Sequence, residues 1–331
     1  NTVFIKSGST LAKDELGAAL DRIELASNKI LESEVDLNTG YFTGGYRGRN
    51  GTTFHVSKNA DMTAGIDLKD GSAFIAEGDI TYGMGYNFVG SGAKGMIKAG
   101  GNIVFNGKGT FADKNSELSV YANKFILNNS APNTAGNHNV YGEIHVNEVV
   151  ADSITNSNFW NGLNVEKLTL RNSTKGNFQV GASSTIGTLT VEEGSQNTIE
   201  TYSSSSATKT KMAIESLVVG KNATAGFTVT ADGSSANIGT HELEINTVKL
   251  AEGASFGNTR RCKDGDSQTD IDRKVGYQNL YVDAIEAEGN AKVNLDYGVT
   301  HVSQINVASN STLTVGTSGK TPASVSQGTL S

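Results

Sequence analysis

The sequence predicts an all-β protein built as a solenoid, in which short strands stack coil upon coil and loops are inserted between them. Three observations lead to this prediction. The chain of 331 residues is rich in turn formers, with 39 Gly and 32 Asn, but it has only 2 Pro. Short alternations of apolar and polar residues recur along it and indicate strands with one buried face. A short motif repeats through the second half, as expected of structural repeats that bury their apolar face only by stacking.

The N-terminal part is the least regular. Residues 1–19 are predicted to be a flank or cap to the solenoid. Residues 13–27 fit either a strand or a short amphipathic helix, because their apolar residues can share one helical face. Further on, residues 66–75 and 103–111 are each typical of a strand, a glycine corner and a second strand.

The repeat of the second half is an apolar residue, two polar residues, an apolar residue, one polar residue and an apolar residue, followed by a Gly, Asn or Ser corner. Its copies begin at Val146 (the weakest match), Val165, Ile186, Ile214, Ile245, Val282 and Val302. The copies are unevenly spaced, which indicates a coil of fixed length interrupted by inserted loops. Equivalent side chains should therefore stack in ladders, and the Gly and Asn corners should supply the positive φ that sharp bends require.

The solenoid is predicted to span residues 20–315. Inserted loops are expected near residues 130–142, 200–211 and 257–276. Residues 316–331 are small and polar and are typical of a linker-like tail.

Composition excludes several classes of function. A net charge of −7 and a pI near 5.3 argue against nucleic acid as a partner. The single cysteine, Cys262, excludes a disulfide scaffold and a multi-cysteine metal site. The sequence has no apolar run long enough for a membrane-spanning helix, which needs about 18 residues. No cofactor and no metal are therefore predicted.

The sequence offers no catalytic motif. It contains neither the HExxH pattern nor a G-x-S-x-G elbow. His145 and His241 fall at outward strand positions and are predicted to be surface histidines. The acidic pair Glu192 and Glu193 lies at a corner of the repeat, where exposed charge is expected. We therefore predict that the protein is not an enzyme.

Several stretches carry a family resemblance: Lys98–Ile103, Asn115–Leu127, Gly142–Val149, Val165–Leu170, Ile186–Val191 and Ile245–Leu250. Their strand and corner pattern resembles Gram-negative autotransporter passengers, and most closely those of the vacuolating-cytotoxin family of Helicobacter. The resemblance implies a right-handed parallel β-helix, displayed on the outer membrane or shed from it. The complete fold prediction is thus a single right-handed parallel β-helix with inserted loops. The toxin members carry apolar GxxxG repeats near the N-terminus, which this chain lacks.

The leading functional prediction is a surface-exposed or secreted autotransporter passenger that acts as an adhesin or colonisation factor. Its expected partners are the host-cell surface or sister molecules, and a homo-oligomer is one predicted assembly. One alternative is an oligomerising toxin of the vacuolating-cytotoxin type, and only this alternative implies membrane contact. Another alternative is a β-helical enzyme that cleaves polysaccharides.

The insertion at residues 257–276 stands out because its charge density is far above that of the rest of the chain. Its cations are predicted to contact a partner: Arg260, Arg261, Lys263, Arg273 and Lys274. Its acids are Asp264, Asp266, Asp270 and Asp272. In the alternative interpretations these acids pair with the cations across the loop, or they hold Ca²⁺.

Overall fold

The fold is described by a computed structural model, which confirms the predicted all-β class. The described residues are 2–3, 20–26, 29–83, 94–106, 109–112, 114–129, 137–203, 210–231, 241–259, 267, 274–317 and 329–331. They contain strands, turns and bends and no helix. The chain forms two compact units, Asn1–Val150 and Ala151–Ser331.

The first unit is built from parallel strands. They are β1 (Thr2–Val3), β2 (Leu20–Glu24), β3 (Ile30–Ser33), β4 (Leu37–Gly48), β5 (Thr53–Val56), β6 (Ala60–Leu68), β7 (Ser72–Ala76), β8 (Ile80–Tyr82), β9 (Lys94–Ala99), β10 (Asn102–Asn106), β11 (Gly109–Phe111), β12 (Glu117–Asn128), β13 (Asn137–Val140) and β14 (Glu143–Asp152, which runs past the unit boundary). Of the two alternatives for residues 13–27, the strand is correct over Leu20–Glu24.

Eight strands of this unit close into a parallel β-barrel. The pairing runs β4–β5–β7–β9–β12–β10–β8–β6 and returns to β4. β1, β2 and β3 are extra strands that join the barrel through β2 and β4. The prediction of a single right-handed parallel β-helix over residues 20–315 is therefore wrong.

The barrel closes because β4 and β12 are long enough to take two sets of partners. Leu37–Thr39 pair with β5, whereas the later part of β4 pairs with β6. In β12, Glu117–Tyr121 pair with β9 and Lys124–Asn128 pair with β10. The sequence interpretation divided such stretches at corners, so it missed the continuous strands that close the ring.

Aromatic side chains fill the interior of the first unit. The rings of Phe42 and Phe54 lie 4.8 Å apart, and Phe74 packs edge-on against Phe54 at 5.3 Å. A second group joins Phe111 to Phe125 at 5.2 Å. These side chains are at most 1 % exposed, so burial of aromatic area is a main source of the unit's stability.

The second unit contains two ladders of parallel strands. The first ladder consists of β16 (Asn164–Arg171), β18 (Ser184–Val191), β20 (Lys211–Val219), β22 (Glu242–Leu250), β25 (Asn279–Ala287), β27 (Val299–Val307) and β29 (Thr329–Leu330). The second ladder consists of β15 (Asn156–Phe159), β17 (Gly176–Val180), β19 (Gln196–Ser203), β21 (Thr224–Ala231), β23 (Ser255–Asn258), β26 (Asn290–Leu295) and β28 (Thr312–Gly316). One further strand, β24 (Lys274–Val275), pairs with β21 in antiparallel fashion.

The repeat of the second half is confirmed for the six copies from Val165 onward, whose strands pair residue by residue. Its central apolar position is occupied by Leu168, Leu189, Leu217, Val248, Ile285 and Ile305, and these residues are paired in register along the first ladder. The corners behave as predicted, since Asn172, Asn222 and Asn310 all have positive φ. The repeat therefore fixes strand register in this unit, even though it did not give the fold class of the chain.

The predicted loops and tail contain short strands. β13 lies within the first predicted loop, β24 lies within the third, and β19 extends into the second as far as Ser203. In the predicted linker-like tail, β29 pairs with the start of β27. Almost all of the predicted flank, residues 1–19, lies outside the described residues.

Candidate functional site

The predicted partner-binding cations lie at the charged excursion, residues 260–273, and at its return strand. Arg260, Arg261, Lys263 and Arg273 lie outside the described residues, as do the acids of the same loop and Cys262. Lys274 belongs to β24, where its backbone pairs with Thr230. The structure thus describes the strands that flank the excursion, β23 and β24, but not the side chains of the cations.

The excursion leaves and re-enters the second ladder at one edge of β21. β19 pairs with β21 along its whole length and occupies the other edge. On the opposite edge of β21, β23 pairs as far as Phe227, and the Thr259 N–H donates to the Phe227 carbonyl at 2.7 Å. The returning strand then places Val275 opposite Val229. The two ends of the excursion are therefore neighbours on the same edge.

Asn258 holds the segment that follows the excursion by hydrogen bonds to its backbone. Its carboxamide oxygen accepts a hydrogen bond from the Tyr277 N–H at 2.7 Å, and its nitrogen donates to the carbonyls of Tyr277 and, at 2.9 Å, Tyr297. Asn258 is fully buried. Gly276 is required here, because a Cβ at this position would lie 2.4 Å from the Asn258 carboxamide oxygen.

Tyr277 anchors the same segment through its side chain. The ring is fully buried and the phenol hydrogen-bonds to Thr201. Burial raises the pKa of the Tyr277 phenol well above its usual range, an effect that the Thr201 hydrogen bond reduces and the negative charge of Glu200 increases. Glu200 is itself fully buried and accepts a hydrogen bond of 2.7 Å from Gln179. The buried ring of Tyr277 and its hydrogen bond to Thr201 therefore anchor the segment that follows the excursion.

A polar groove lies at the start of three strands of the second ladder, β17, β19 and β21. Its volume is about 240 Å³, and it is lined by Thr174, Lys175, Gly176, Asn177, Gln196, Asn197, Thr198 and Thr224. Every lining residue is therefore polar or glycine. Lys175 and Gln196 are exposed at the rim, whereas Asn177 and Asn197 are buried. Sequence reasoning missed this groove because its residues follow three separate corners of the repeat and become neighbours only when the strands stack.

The histidines divide between surface and core. His145 is half-exposed and stacks on Tyr121 with the ring centroids 4.7 Å apart, as predicted for a surface histidine. His241 is only 3 % exposed and bonds to Thr210, so its predicted surface position is wrong. Burial lowers the pKa of His241. Glu192 and Glu193 are exposed at their corner, as expected.

The part of the chain that the structure describes has no cluster of three His, Cys, Asp or Glu side chains that could hold a metal ion. Within the same residues, no helix has the length and apolar character needed to cross a bilayer. No family model matches the chain, and neither a curated protein nor a solved structure matches it.

Proposed function

We propose that this chain is a surface-exposed or secreted binding protein, an adhesin-like autotransporter passenger, that engages cells through the charged excursion. The observation that carries this proposal is the base of the excursion. Both of its ends lie on one edge of β21, and Asn258 and Tyr277 fasten the returning strand. Loops that are mounted on a rigid scaffold commonly carry recognition.

Charge supports a polar contact at this loop. The chain as a whole is 18 % charged, whereas the excursion concentrates cations and carboxylates in a short segment. An anionic patch on a cell surface that contacts the cations and not the aspartates of the loop would be attracted, and added salt would screen that attraction because the Debye length falls to about 8 Å at physiological ionic strength. The proposal therefore predicts binding that weakens as salt is added.

The test replaces residues 260–273 by a short Gly-Ser linker in the full chain. Because the ends are neighbours on one edge, the linker closes without moving β23 or β24, and thermal unfolding should shift little. Binding of the labelled chain to cultured epithelial cells, and to beads that carry the parent chain, should fall at low salt. The difference from the parent should shrink at high salt.

Two charge variants of unchanged loop length refine the test. The first changes the cations Arg260, Arg261, Lys263, Arg273 and Lys274 to Gln, and the second changes the loop aspartates to Asn. The first variant should bind as weakly as the linker variant, and the second should bind at least as well as the parent. If the linker variant binds both cells and beads as well as the parent at low salt, the excursion is not the contact surface.

A further inference from the structure

We propose that the polar groove at the start of β17, β19 and β21 binds one ring of a saccharide, with Lys175 placed for the carboxylate of an acidic sugar. The proposal concerns residues of the second ladder and not the charged excursion. It rests on the lining of the groove, on two carboxamide oxygens in its wall and on the charge at its rim.

The wall of the groove contains two buried acceptors that have no hydrogen-bond partner. They are the carboxamide oxygens of Asn177 and Asn197, whose side chains are 6 % and 3 % exposed. Their nitrogens are already engaged, since Asn177 donates to the Asn156 carboxamide oxygen at 3.0 Å and Asn197 donates to the Ser195 hydroxyl at 2.8 Å. Unpartnered buried acceptors also occur elsewhere in the described residues, as at Asn102 and Asn294, so these two oxygens support a ligand site only together with the polar lining and the charge at the rim.

A glycine makes room for one of these acceptors. A Cβ at Gly176 would lie 2.2 Å from the carboxamide oxygen of Asn197. The oxygen therefore lies directly against the backbone of β17 in the wall of the groove. The oxygen is closed off from solvent, so a ligand hydroxyl reaches it only after a local rearrangement of the groove.

The lining selects a polyhydroxylated ligand. Threonine hydroxyls and the Gln196 carboxamide can both donate and accept hydrogen bonds, as sugar hydroxyls do, and the two orphaned oxygens call for donors. The lining has no carboxylate, which a Ca²⁺ site usually provides, and no apolar wall, which a hydrophobic ligand requires. The volume of about 240 Å³ is below the usual range for drug-sized ligands, roughly 300–1,000 Å³, and suits a single ring.

Charge at the rim points to an acidic sugar. Within the described part of the chain, no carboxylate forms an ion pair with the exposed ammonium of Lys175. A carboxylate on the sugar would meet this cation beside the hydroxyl-binding wall. We therefore expect an acidic sugar to bind more tightly than a neutral one.

The experiment titrates the full chain with sialyllactose and with lactose, followed by calorimetry and saturation-transfer NMR. Sialyllactose should bind saturably and more tightly than lactose. Lys175→Met should lower the affinity for sialyllactose by about tenfold, as expected for the loss of one charge-assisted hydrogen bond. The affinity for lactose should stay unchanged. Asn177→Ala should lower the affinity for both sugars about tenfold.

A matched control exists in the same ladder. Asn294 is 5 % exposed and also has an unpartnered carboxamide oxygen, but it does not line the groove. Asn294→Ala should therefore bind both sugars like the parent. If Asn177→Ala does not fold, as judged by circular dichroism, the rim variants Lys175→Met and Gln196→Leu decide the question.

Two results would overturn the proposal: no saturable binding of either sugar, or groove variants that bind like the parent and the Asn294→Ala control. The linker variant of the excursion should keep its sugar binding, because it leaves the groove intact. A failure of the saccharide proposal can therefore be distinguished from a failure of the proposed function of the excursion.

Discussion

At the scale of single residues, one apolar position shows what stacking contributes. The central position of the repeat is 0 % exposed in Leu168, Leu189, Leu217, Val248 and Ile285, but 42 % exposed in Ile305. Ile305 lies on β27, which pairs with β25 on one side. On the other side its described partner, β29, pairs only with Val299 and Thr300. Among the described residues, isoleucine at this ladder position is therefore buried where strands pair with it on both sides, as at Ile285, and exposed where a strand pairs with it on one side, as at Ile305.

This difference predicts unequal costs of truncation. Ile285→Ala should lower the free energy of unfolding by about 2–5 kcal/mol, because it removes buried methyl groups and leaves a cavity. Ile305→Ala should cost about 1 kcal/mol or less, since much of that side chain already contacts water. Urea unfolding of the two variants beside the parent measures both values. Equal costs would show that the two positions have the same burial in solution.

At the scale of elements, a polar cluster fixes the corner between β14 and β15. Arg171 donates to Asp152 at 2.7 Å, and Asn172 and Ser153 donate to the other carboxylate oxygen at 2.9 and 2.8 Å. Partial burial works to raise the pKa of Asp152, but these hydrogen bonds and the charge of Arg171 outweigh it, so the pKa is lowered overall. The cluster thus joins the end of one strand to the corner that follows β16.

The lowered pKa of Asp152 gives this corner a pH dependence of known sign. Its contribution to stability is fully present above the unfolded carboxyl pKa, about 3.9, and is lost as the pH falls through the lower folded value. Arg171→Gln should therefore destabilise the chain by about 1 kcal/mol at pH 7, and less below about pH 4. Urea unfolding at both pH values measures the difference.

Lys211→Gln is the matched control for this element. Its ion pair with Glu244 is about half-exposed on both sides, so little stability should be lost at either pH. A loss in Arg171→Gln that stays the same in acid would assign the effect to packing and not to the charge on Asp152.

Some elements of this fold were predictable from the sequence and others were not. Period-two alternation and the repeated apolar triplet predicted the strands and register of the first ladder, because each copy repeats the same local pattern. The barrel was not predictable in this way, since its closure depends on how far β4 and β12 continue through residues that also fit a corner. The contact between Asn258 and Tyr277 was not predicted for a related reason. It is set by tertiary structure, and no periodic sequence pattern marks it.

At the scale of the whole molecule, buried phenols occur in both units. Tyr46 and Tyr82 lie in the first unit and Tyr277 lies in the second, all of them fully buried. Burial raises the pKa of each phenol above its ordinary value of 10.0. Each unit therefore holds at least one tyrosine that stays protonated in the folded chain at a pH where the unfolded chain would ionise.

This arrangement predicts that the protein loses stability in alkali. A folded pKa above the unfolded one gives a contribution that is complete below the unfolded pKa, about 10, and is lost as the pH rises beyond it. Tyr277→Phe should cost about 1 kcal/mol at neutral pH through the lost bond to Thr201, and should make stability fall less steeply above pH 10. Tyr281→Phe, at a tyrosine that is 46 % exposed, is the control for removing a phenol that is not buried. Urea unfolding between neutral pH and pH 11 supplies the slopes, and an unchanged slope in Tyr277→Phe would show that this phenol already ionises in the folded chain.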